Sequence, residues 1–548
     1  MQADLVLTGG VVYAVDARRS RHEAMAVKDG RIVALGSASE AAEWRGPRTR
    51  TVDLGGRLVL PGFVDAHLHP TYSTLELFEV KLEDCRSLDD CLARVARFAA
   101  ERRELPAIRG GGWFPTVVPM DGMTAEALDR VVPDRPVLLH DDSVHAHWVN
   151  SATLRLAGLG RDDPGWTGAV IERLPDGSPK GLLHEAFPWL DRALPQYTAR
   201  QLAEAMRHFQ RETAARYGIT MLHDAGVHGW SDDVLDAYQS LEANEELSLR
   251  VRLSMMVDPS EPLGDQLASA EEARARFSGP LVQAATVKLF CDGVLETHTG
   301  LLKESYTDTP GYAGTPIWEP ERLVEASVAA ARAGFQLHYH AIGDGAVALA
   351  LDAIAAAREG RPGGRDIITH LQVVDPADVA RMAELGVVAV VQPYWFTGDP
   401  DYLAALRPLL GDRTDRQYPM RSLVEAGVLV AGASDYPVTP PPDPLLAIQR
   451  GVLRRDPGAV PEHHGLWPEE AVDVDAMVAA FTIAGARANF LEHETGSLEP
   501  GKSADLVILR RDLLELPPDL IHEAAVELTL FRGRLTWAGG AFEGFAAD

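Results

Sequence analysis

The middle of the chain alternates between short apolar runs and longer stretches in which apolar residues recur at helical spacing. We identify eight of the apolar runs as candidate strands: LVLPGFVDAHLH, GITMLHD, RVRLSMM, ATVKLF, FQLHYHAIG, DIITHLQ, VVAVVQP and VLVAGASD. Between several of them lie amphipathic stretches such as ERLVEASVAAARAG and PADVARMAELG. Repeated strand–helix units favour parallel strands, and eight of them predict an α/β fold, the closed (β/α)8 TIM barrel. A doubly wound open sheet is the alternative that the pattern leaves open.

Both ends of the chain consist of short β-type runs interrupted by glycine. Three segments near the start are each expected to form strand–turn–strand units, ADLVLTGGVVYAVD, AMAVKDGRIVALGS and TVDLGGRLVLPG, and Asp29-Gly30 is a favourable hairpin turn. The end of the chain has the same character in GSLEPGKSADLVILRRD and VELTLFRGRLTWAGGAF. Because chain ends commonly lie close together, we expect one small β domain from residues 1–57 and 490–548, attached to a barrel over residues 58–489.

The interval between the first and second candidate strands does not fit a plain barrel. It contains RGGGWF, PVLLHDDSVHAHWVNSATL and TGAVIERLPDGSPKGLLHEAF, which carry their own strand and helix signals. A barrel loop of this length without structure of its own would be unusual. We therefore expect an inserted subdomain at about residues 75–200, after the first barrel strand and on the barrel's mouth.

The charge balance limits the classes of partner. The 548 residues include 52 basic and 80 acidic side chains, so the net charge is 52 − 80 = −28. A field of this sign repels nucleic-acid phosphates and anionic lipid, and we expect neither nucleic acid nor a membrane as a partner. A small-molecule substrate is the expected partner, and the oligomeric state stays open, with a homodimer among the options.

Cysteine content and targeting signals favour an ordinary cytoplasmic protein. The three cysteines, Cys85, Cys91 and Cys291, are too few and too irregular for a disulfide framework, and we expect them to be buried small residues. The N-terminal MQADLVLTGG has no basic region before its apolar residues, so it does not resemble a signal peptide. No apolar run approaches the length of a membrane span. We expect a cytoplasmic location.

The first candidate strand ends in two histidines. His67 and His69 are separated by one residue, so the alternation of a strand sends both imidazoles to the same side, into the barrel. Neutral imidazole is a preferred zinc ligand, and an acidic neighbour such as Asp65 can orient it. A single histidine in an apolar run is usually a hydrogen-bonded core residue, but a pair at a strand's carboxyl end favours metal ligation.

Other candidate strands also carry polar residues at or near their carboxyl ends, where active sites of barrel enzymes lie. They are Lys288 on the fourth strand, His338 and His340 on the fifth, His370 on the sixth and Asp435 on the eighth. Taken singly, Lys288 could pair with a carboxylate, His370 could be a core hydrogen bonder and Asp435 could cap the following helix. Their coincidence at one barrel mouth favours a shared metal site.

This set of residues resembles the amidohydrolase superfamily, and specifically amidohydrolase family 3, the YtcJ-like metal-dependent hydrolases. The similarity extends over nearly the whole chain, in LVLPGFVDAHLHP, GGGWF, DRPVLLHDDSVHAHWVNSATL, VKLFCDGVLETHTG, HYHAIGDGAV, THLQVVDP, YPMRSLVEAGVLVAGASDYPV and TGSLEPGKSADLVIL. The HxH motif alone is weak, but together with the lysine, two histidines and aspartate in this order it is highly specific. The resemblance implies a metal-bearing (β/α)8 barrel and a small β-sandwich made from both termini.

The resemblance also implies a ligand set for two divalent metals, expected to be zinc. His67 and His69 would bind the more buried metal with Asp435, and His340 and His370 would hold the second. Lys288 would carry a carbamate, formed on Nζ from CO2, that bridges the two metals. His338 precedes His340 on the same strand face, so the identity of the fifth-strand ligand stays open, although the match to HAIGDGA favours His340. The choice between one metal and two also stays open.

The implied reaction is hydrolysis of a C–N bond in an amide-like substrate by metal-activated hydroxide. Zinc lowers the pKa of bound water to about 7, and Asp435 would act as the catalytic residue that takes the water's proton and gives it to the leaving nitrogen. The same site could instead open a cyclic amide or imide or cleave an ester. A barrel that binds metal or ligand without turnover is a further alternative.

Aromatic residues near the expected barrel mouth suggest an apolar pocket. They are Trp113, Phe114, Trp148 and Trp166 in the insertion, and Tyr394, Trp395 and Phe396 after the seventh strand. Such a pocket favours hydrophobic N-acyl or N-formyl amines, with Trp113, Trp395 and His298 of the ETHTG segment as candidate substrate contacts. The competing interpretation is that most of these aromatic rings belong to the core.

Overall fold

The computed structural model describes residues 2–115, 117–141, 146–162, 170–184, 186–227, 232–359, 363–439, 441–459, 465–543 and 545. The chain divides into two compact units. The first, here called the barrel unit, comprises Met1–Pro70 and Met206–Asp548, and the second, the inserted unit, comprises Thr71–Ala205. The domain limits expected from the sequence stay predictions.

The strands, numbered in chain order, are β1 Leu5–Tyr13, β2 Arg21–Lys28, β3 Arg31–Gly36, β4 Arg50–Asp53, β5 Leu58–Pro61, β6 Phe63–Leu68, β7 Glu79–Lys81, β8 Ile108–Trp113, β9 Val137–Asp141, β10 Ala146–Val149, β11 Val170–Arg173, β12 Pro179–His184, β13 Ile219–Val227, β14 Arg250–Met256, β15 Val282–Phe290, β16 Gln336–Ala341, β17 Ile367–His370, β18 Val388–Val391, β19 Leu429–Gly432, β20 Leu506–Leu509, β21 Val526–Phe531 and β22 Arg534–Ala538.

The α-helices are α1 Ala41–Trp44, α2 Thr74–Phe78, α3 Leu88–Glu101, α4 Ala125–Asp129, α5 Ser151–Leu156, α6 Phe187–Ala193, α7 Ala199–His208, α8 Asp232–Ala243, α9 Leu263–Arg276, α10 Pro320–Arg332, α11 Asp344–Arg358, α12 Pro376–Leu385, α13 Pro400–Leu410, α14 Met420–Glu425, α15 Pro444–Leu453, α16 Val474–Ala479 and α17 Gly485–Ala488. Among the described residues, none of the helices has both the length and the apolar composition needed to cross a lipid bilayer.

The barrel consists of eight strands in the order β6, β13, β14, β15, β16, β17, β18, β19, and each pairs with its neighbour in parallel. All residues of β17 and β18 are buried, as expected for parallel strands that are covered on both faces. The first and last strands meet at their carboxyl ends, where the Asp435 N–H donates to the His67 carbonyl at 2.8 Å. This nearly closed barrel confirms the predicted fold class, and the open-sheet alternative is wrong.

The helices between the strands form where local sequence signals predict them. Helix α12 shows both boundaries clearly. The Asp375 carboxylate accepts a hydrogen bond from the Ala377 N–H at the start, next to Pro376, and Gly386 adopts a left-handed φ of 62° at the end. An N-cap aspartate, a proline in the first turn and a C-terminal glycine together fix the ends of a helix.

Both chain ends contribute to a second sheet in the barrel unit. Its order is β22, β21, β20, β5, β1, β2, β3, and β4 also pairs with β1. The Asp29-Gly30 turn joins β2 to β3 with φ values of 50° and 74°, the left-handed pair that a tight hairpin requires. Of the other two expected strand–turn–strand units, TVDLGGRLVLPG is confirmed, since a turn separates β4 from β5, whereas ADLVLTGGVVYAVD is wrong. Strand β1 continues through Gly9 and Gly10 as one irregular strand, and β4 and β5 both lie parallel to β1.

The inserted unit has a sheet and an apolar core of its own. Its strands follow the order β11, β12, β10, β9, β8, β7. Trp113 and Trp148 lie in the core with their ring centroids 6.4 Å apart, and Cys85 and Cys91 are buried in the same cluster. Positive φ angles of 138° and 150° at Gly110 and Gly111 allow β8 to run very close to its neighbours, since a Cβ at Gly111 would lie 2.0 Å from a backbone oxygen.

Candidate metal centre

Six predicted ligands sit at or near the carboxyl ends of barrel strands; we call this set the metal centre. They are His67 at the end of β6, His69 just beyond it, Lys288 on β15, His340 on β16, His370 at the end of β17 and Asp435 after β19. The backbones of His370 and Asp435 have φ values of 80° and 58°. Non-glycine residues in this left-handed region are strained by about 1–3 kcal/mol, and such strain concentrates at functional sites.

Two histidine side chains approach one carboxylate oxygen. Asp435 Oδ1 lies 3.4 Å from His67 Nε2 and 3.3 Å from His69 Nε2. Ligand atoms of His67, His370 and Asp435 all lie within 4.8 Å of one another, and these three residues are buried. The ring of His340 meets that of His370 edge-on, with centroids 4.5 Å apart. These distances between side chains are compatible with the binding of a common metal ion.

The protonation states of these groups suit a metal. Burial lowers the pKa of His67 well below its usual value, and the charge of Lys288 lowers it further. Burial and the charge of His340 do the same for His370. Burial by itself would raise the pKa of Asp435, but its hydrogen bond to His67 and further interactions with the histidines outweigh this and hold the pKa well below its usual range. His67 and His370 are therefore neutral imidazoles and Asp435 is an anionic carboxylate, the forms that bind metal.

Two of the histidines direct their other ring nitrogen at a polar partner. His340 Nδ1 lies 3.3 Å from Asp292 Oδ1, and His370 Nδ1 lies 3.1 Å from Gln392 Oε1. The Asp292 carboxylate is itself held by three backbone N–H groups. A hydrogen bond such as that of His370 fixes the orientation of a ligating imidazole, whereas His340 Nδ1 lies close to Asp292 without forming a hydrogen bond to it. Sequence reasoning missed both, although Asp292 lies within the VKLFCDG segment.

Asp65 holds the ends of the first and last barrel strands together. Its Oδ1 accepts hydrogen bonds from the backbone N–H of His67 at 3.2 Å and of Ser434 at 3.1 Å. Burial raises the pKa of this carboxyl to about 7, against the opposing effect of these hydrogen bonds. Asp65 thus positions the backbone on which His67 and Asp435 sit.

Lys288 is buried without an acidic partner. Its Nζ lies 3.4 Å from His338 Nε2 and 5.2 Å from the centroid of the Phe290 ring. Among the described residues no carboxylate forms an ion pair with it, so the alternative of a carboxylate-paired lysine is wrong. Burial lowers the pKa of the amine to about 7. A neutral amine is the form that can add CO2.

The structure also decides the helix-capping alternative for Asp435. The next helix, α15, begins at Pro444, and its N-cap is Asp443, whose carboxylate accepts a hydrogen bond from the Leu445 N–H at 3.0 Å. Asp435 lies well before this helix, so capping does not account for it.

The predicted substrate contacts have different surroundings. The half-buried Trp395 stacks on the His370 ring with centroids 5.6 Å apart and donates from Nε1 to Thr439 Oγ1 at 2.9 Å. His298 lies in the loop after β15, where it pairs with an aspartate at 2.9 Å. Trp113 is fully buried in the core of the inserted unit. Trp166 falls outside the described residues. The roles of Trp113 and His298 at a substrate stay predictions.

The donors present fit a divalent metal. Two imidazole nitrogens close to one carboxylate oxygen, with a further imidazole nearby, form the mixed nitrogen and oxygen set that zinc prefers. Softer metals favour thiolate ligands, and the three cysteines are buried free thiols.

Comparison with known proteins agrees with this geometry. The model of the amidohydrolase family matches residues 50–537. The Bacillus subtilis (strain 168) protein YtcJ, named as an amidohydrolase, is 31% identical over 96% of this chain and 98% of its own. The N-substituted formamide deformylase of Arthrobacter pascens is 28% identical over 97% of this chain and 98% of its own.

A solved structure shows the same fold. The crystal structure of an uncharacterised metal-dependent hydrolase from Pyrococcus horikoshii OT3 aligns with a TM-score of 0.78 at 24% identity, over 94% of this chain and 99% of that one. With the family match extending over most of the chain, the chain belongs to the amidohydrolase family and is an enzyme, a hydrolase of carbon–nitrogen bonds.

Proposed function

We propose that this enzyme hydrolyses the C–N bond of hydrophobic N-acyl or N-formyl amines with the help of bound divalent metal, most suitably zinc. The observation that carries the proposal is the convergence of His67 Nε2 and His69 Nε2 on Asp435 Oδ1, with His370 close by. Polar groups buried this close together cost free energy unless a partner compensates for it, and a bound metal ion would supply that compensation.

The ligands divide between two metal positions in this proposal. His67, His69 and Asp435 would hold one metal, and His340 and His370 would hold the other. Lys288, as its carbamate, would serve as a ligand shared by both, since no carboxylate among the described residues forms an ion pair with its buried amine. When bound, the metal supplies a Lewis acid that polarises a carbonyl and lowers the pKa of water.

Asp435 is the proposed proton carrier. Its carboxylate is anionic, buried and adjacent to the imidazoles of His67 and His69. It takes a proton from the attacking water and returns the proton to the nitrogen as the C–N bond breaks, so that a carboxylic acid and an amine leave the site. A positioned carboxylate of this kind typically contributes a factor of about 10²–10⁴ to the rate.

The hydrophobic substrate is supported by rings that flank the ligands. Trp395 stacks on His370, and Phe290 stacks on His340 with centroids 4.9 Å apart. Aromatic walls with few polar groups favour an apolar ligand. The similarity to an N-substituted formamide deformylase points in the same direction, and the net charge of −28 opposes polyanionic substrates.

The decisive experiment combines metal analysis with a substrate panel. The purified enzyme is assayed as isolated, after chelation and after zinc is restored. The panel contains an N-benzyl formamide, an N-acyl aromatic amine, a cyclic imide, an ester and a charged N-acyl amino acid. We expect about two metals per chain, activity that follows metal content, and a preference for the first two compounds. Metal-independent activity would contradict the proposal, and preference for the imide or the ester would replace its substrate class.

A further inference from the structure

His338 occupies the interior of the barrel beside the metal centre, and it is fully buried. Its Nε2 lies 3.1 Å from His67 Nδ1 and 3.4 Å from Lys288 Nζ. Its Nδ1 lies 3.1 Å from Ser254 Oγ. Both ring nitrogens therefore have partners from the protein, and neither is left for a metal.

The hydrogen bonds continue beyond His338. Ser254 Oγ lies 2.7 Å from His223 Nε2, and both of these residues are completely buried. The chain of hydrogen bonds thus runs from His67 on β6 through His338 on β16 and Ser254 on β14 to His223 on β13. We call this set of four residues the histidine relay. It links four strands inside the barrel and contains no carboxylate.

The relay has a definite proton order when His67 ligates through Nε2. A neutral imidazole has one proton, which must then sit on Nδ1 of His67 and be donated to His338 Nε2. His338 in turn carries its proton on Nδ1 and donates it to Ser254 Oγ. The serine hydroxyl donates to His223 Nε2. His338 and Ser254 therefore each accept one hydrogen bond and donate one, whereas within the relay His67 only donates and His223 only accepts.

We propose that His338 is a positioning residue, and not a metal ligand, that holds His67 in the tautomer and orientation in which Nε2 faces the metal. Ser254 and His223 fix the tautomer of His338 in the same way. The proposal rests on the proposed function, since it takes His67 as a ligand. It assigns the fifth-strand ligand position to His340, and it gives a role to His223 and Ser254, which the sequence did not single out.

Three variants and one control test the relay. His338→Leu removes the acceptor for His67, His338→Gln keeps an amide oxygen near that position, and Ser254→Ala breaks the next hydrogen bond. The control is Tyr339→Phe, which removes a buried hydrogen bond of 2.6 Å to Ser327 from the adjacent residue of β16. Zinc affinity of each folded protein is measured by chelator competition, and the ligand field by the visible spectrum of the Co²⁺-loaded protein.

We expect His338→Leu to weaken zinc binding by about 10- to 100-fold, the usual consequence of losing the partner of a ligating imidazole. Ser254→Ala should weaken it less, and His338→Gln should recover most of the affinity with an unchanged Co²⁺ spectrum. Tyr339→Phe should bind zinc as the unchanged enzyme does.

Wild-type affinity in both His338→Leu and Ser254→Ala would overturn the proposal. Loss of a nitrogen ligand in the Co²⁺ spectrum of His338→Gln would also overturn it, because His338 would then be a ligand itself. If His338→Leu does not fold, the affinity of Ser254→Ala decides alone. An unaltered enzyme that binds no divalent metal would instead refute the proposed function, so the two failures are distinguishable.

Discussion

The metal centre and the inserted unit both contain polar side chains removed from water, but their surroundings differ. In the inserted unit opposite partners are matched: Arg109 pairs with Asp191, and the Tyr197 hydroxyl donates to Glu79 at 2.7 Å. In the metal centre like groups face one another, since His67, His370 and Lys288 are buried together around a single carboxylate. Matched pairs satisfy each other and stabilise the fold. Imidazoles and an amine buried around one carboxylate are not matched in this way, and such an arrangement is typical of a site that binds a ligand.

The backbone conformations of the two regions also differ. In the described part of the inserted unit, positive φ angles occur at glycines alone, where they carry no steric penalty. In the metal centre they occur at His370 and Asp435. The barrel thus tolerates local strain where side chains must converge, and this contrast can be tested by substitution in both regions.

The largest effect is expected for His67→Ala. In the proposed site His67 is a ligand of the more buried metal, so we expect this variant to lose one metal per chain and nearly all activity. Metal content by elemental analysis and turnover of an N-benzyl formamide measure the result. Full metal occupancy with full turnover would show that the convergence at Asp435 has no part in catalysis.

Asp435→Asn should separate chemistry from binding. The amide keeps the shape of the side chain but cannot carry the proton, so we expect kcat to fall by at least about 100-fold while KM changes little. Steady-state kinetics on metal-loaded protein provide the measurement. A near-normal kcat would assign the proton transfer to another group and leave Asp435 as a ligand at most.

Lys288 should make the stability of the metal-free protein depend on pH. Its amine titrates at about 7 when folded and near 10.5 in the reference state. Between these values the unfolded chain binds the extra proton, so the contribution of Lys288 to the free energy of unfolding rises with pH, by up to about 1.4 kcal/mol per pH unit. Lys288→Met should remove this rise, measured by urea unfolding from pH 7 to 10.

The exposed Lys81 provides the control for that measurement. Lys81→Met should leave the pH dependence as it is in the unaltered protein. Identical pH profiles for Lys288→Met and the unaltered protein would mean that the amine of Lys288 is not shifted, and the proposed carbamate would lose its support.

Trp395→Ala tests the apolar pocket beside His370. Loss of a large aromatic contact should raise KM for a hydrophobic formamide about tenfold more than for formamide itself, since about 1.4 kcal/mol of apolar contact corresponds to a factor of ten. An equal rise for both substrates would remove the hydrophobic-pocket assignment without affecting the metal chemistry.

The smallest effect is expected in the inserted unit. Tyr197→Phe removes the hydroxyl that donates to Glu79, and we expect the free energy of unfolding to fall by about 1 kcal/mol. Zinc content should stay unchanged, because this pair is matched within its own unit. A loss of metal in this variant would contradict the distinction between polar pairs that stabilise the fold and polar groups that bind metal.

Much of the fold follows from local patterns in the sequence. Each of the eight apolar runs contains one barrel strand, because a buried parallel strand needs a local run of apolar residues. The first run, LVLPGFVDAHLH, also contains β5, which belongs to the second sheet. The Asp29-Gly30 turn is local for the same reason. The course of β1 is not local, since the Gly9-Gly10 pair permits a turn without requiring one. The parallel pairing of β4 and β5 with β1 was decided by tertiary contacts.

The candidate ligands were visible because each is a polar residue at the end of an apolar run, a position that barrel topology makes functional. Their partners were not visible. Asp292, Gln392, Ser254 and His223 reach the histidines through the registers of neighbouring strands and the paths of loops, and residues joined in this way lie up to 271 positions apart, as His67 and His338 do. The sequence by itself determined which residues could bind metal. The tertiary structure decided which nitrogen of His67 and of His370 is left for a metal, because Nδ1 of each ring lies within hydrogen-bond distance of a residue far away in the sequence.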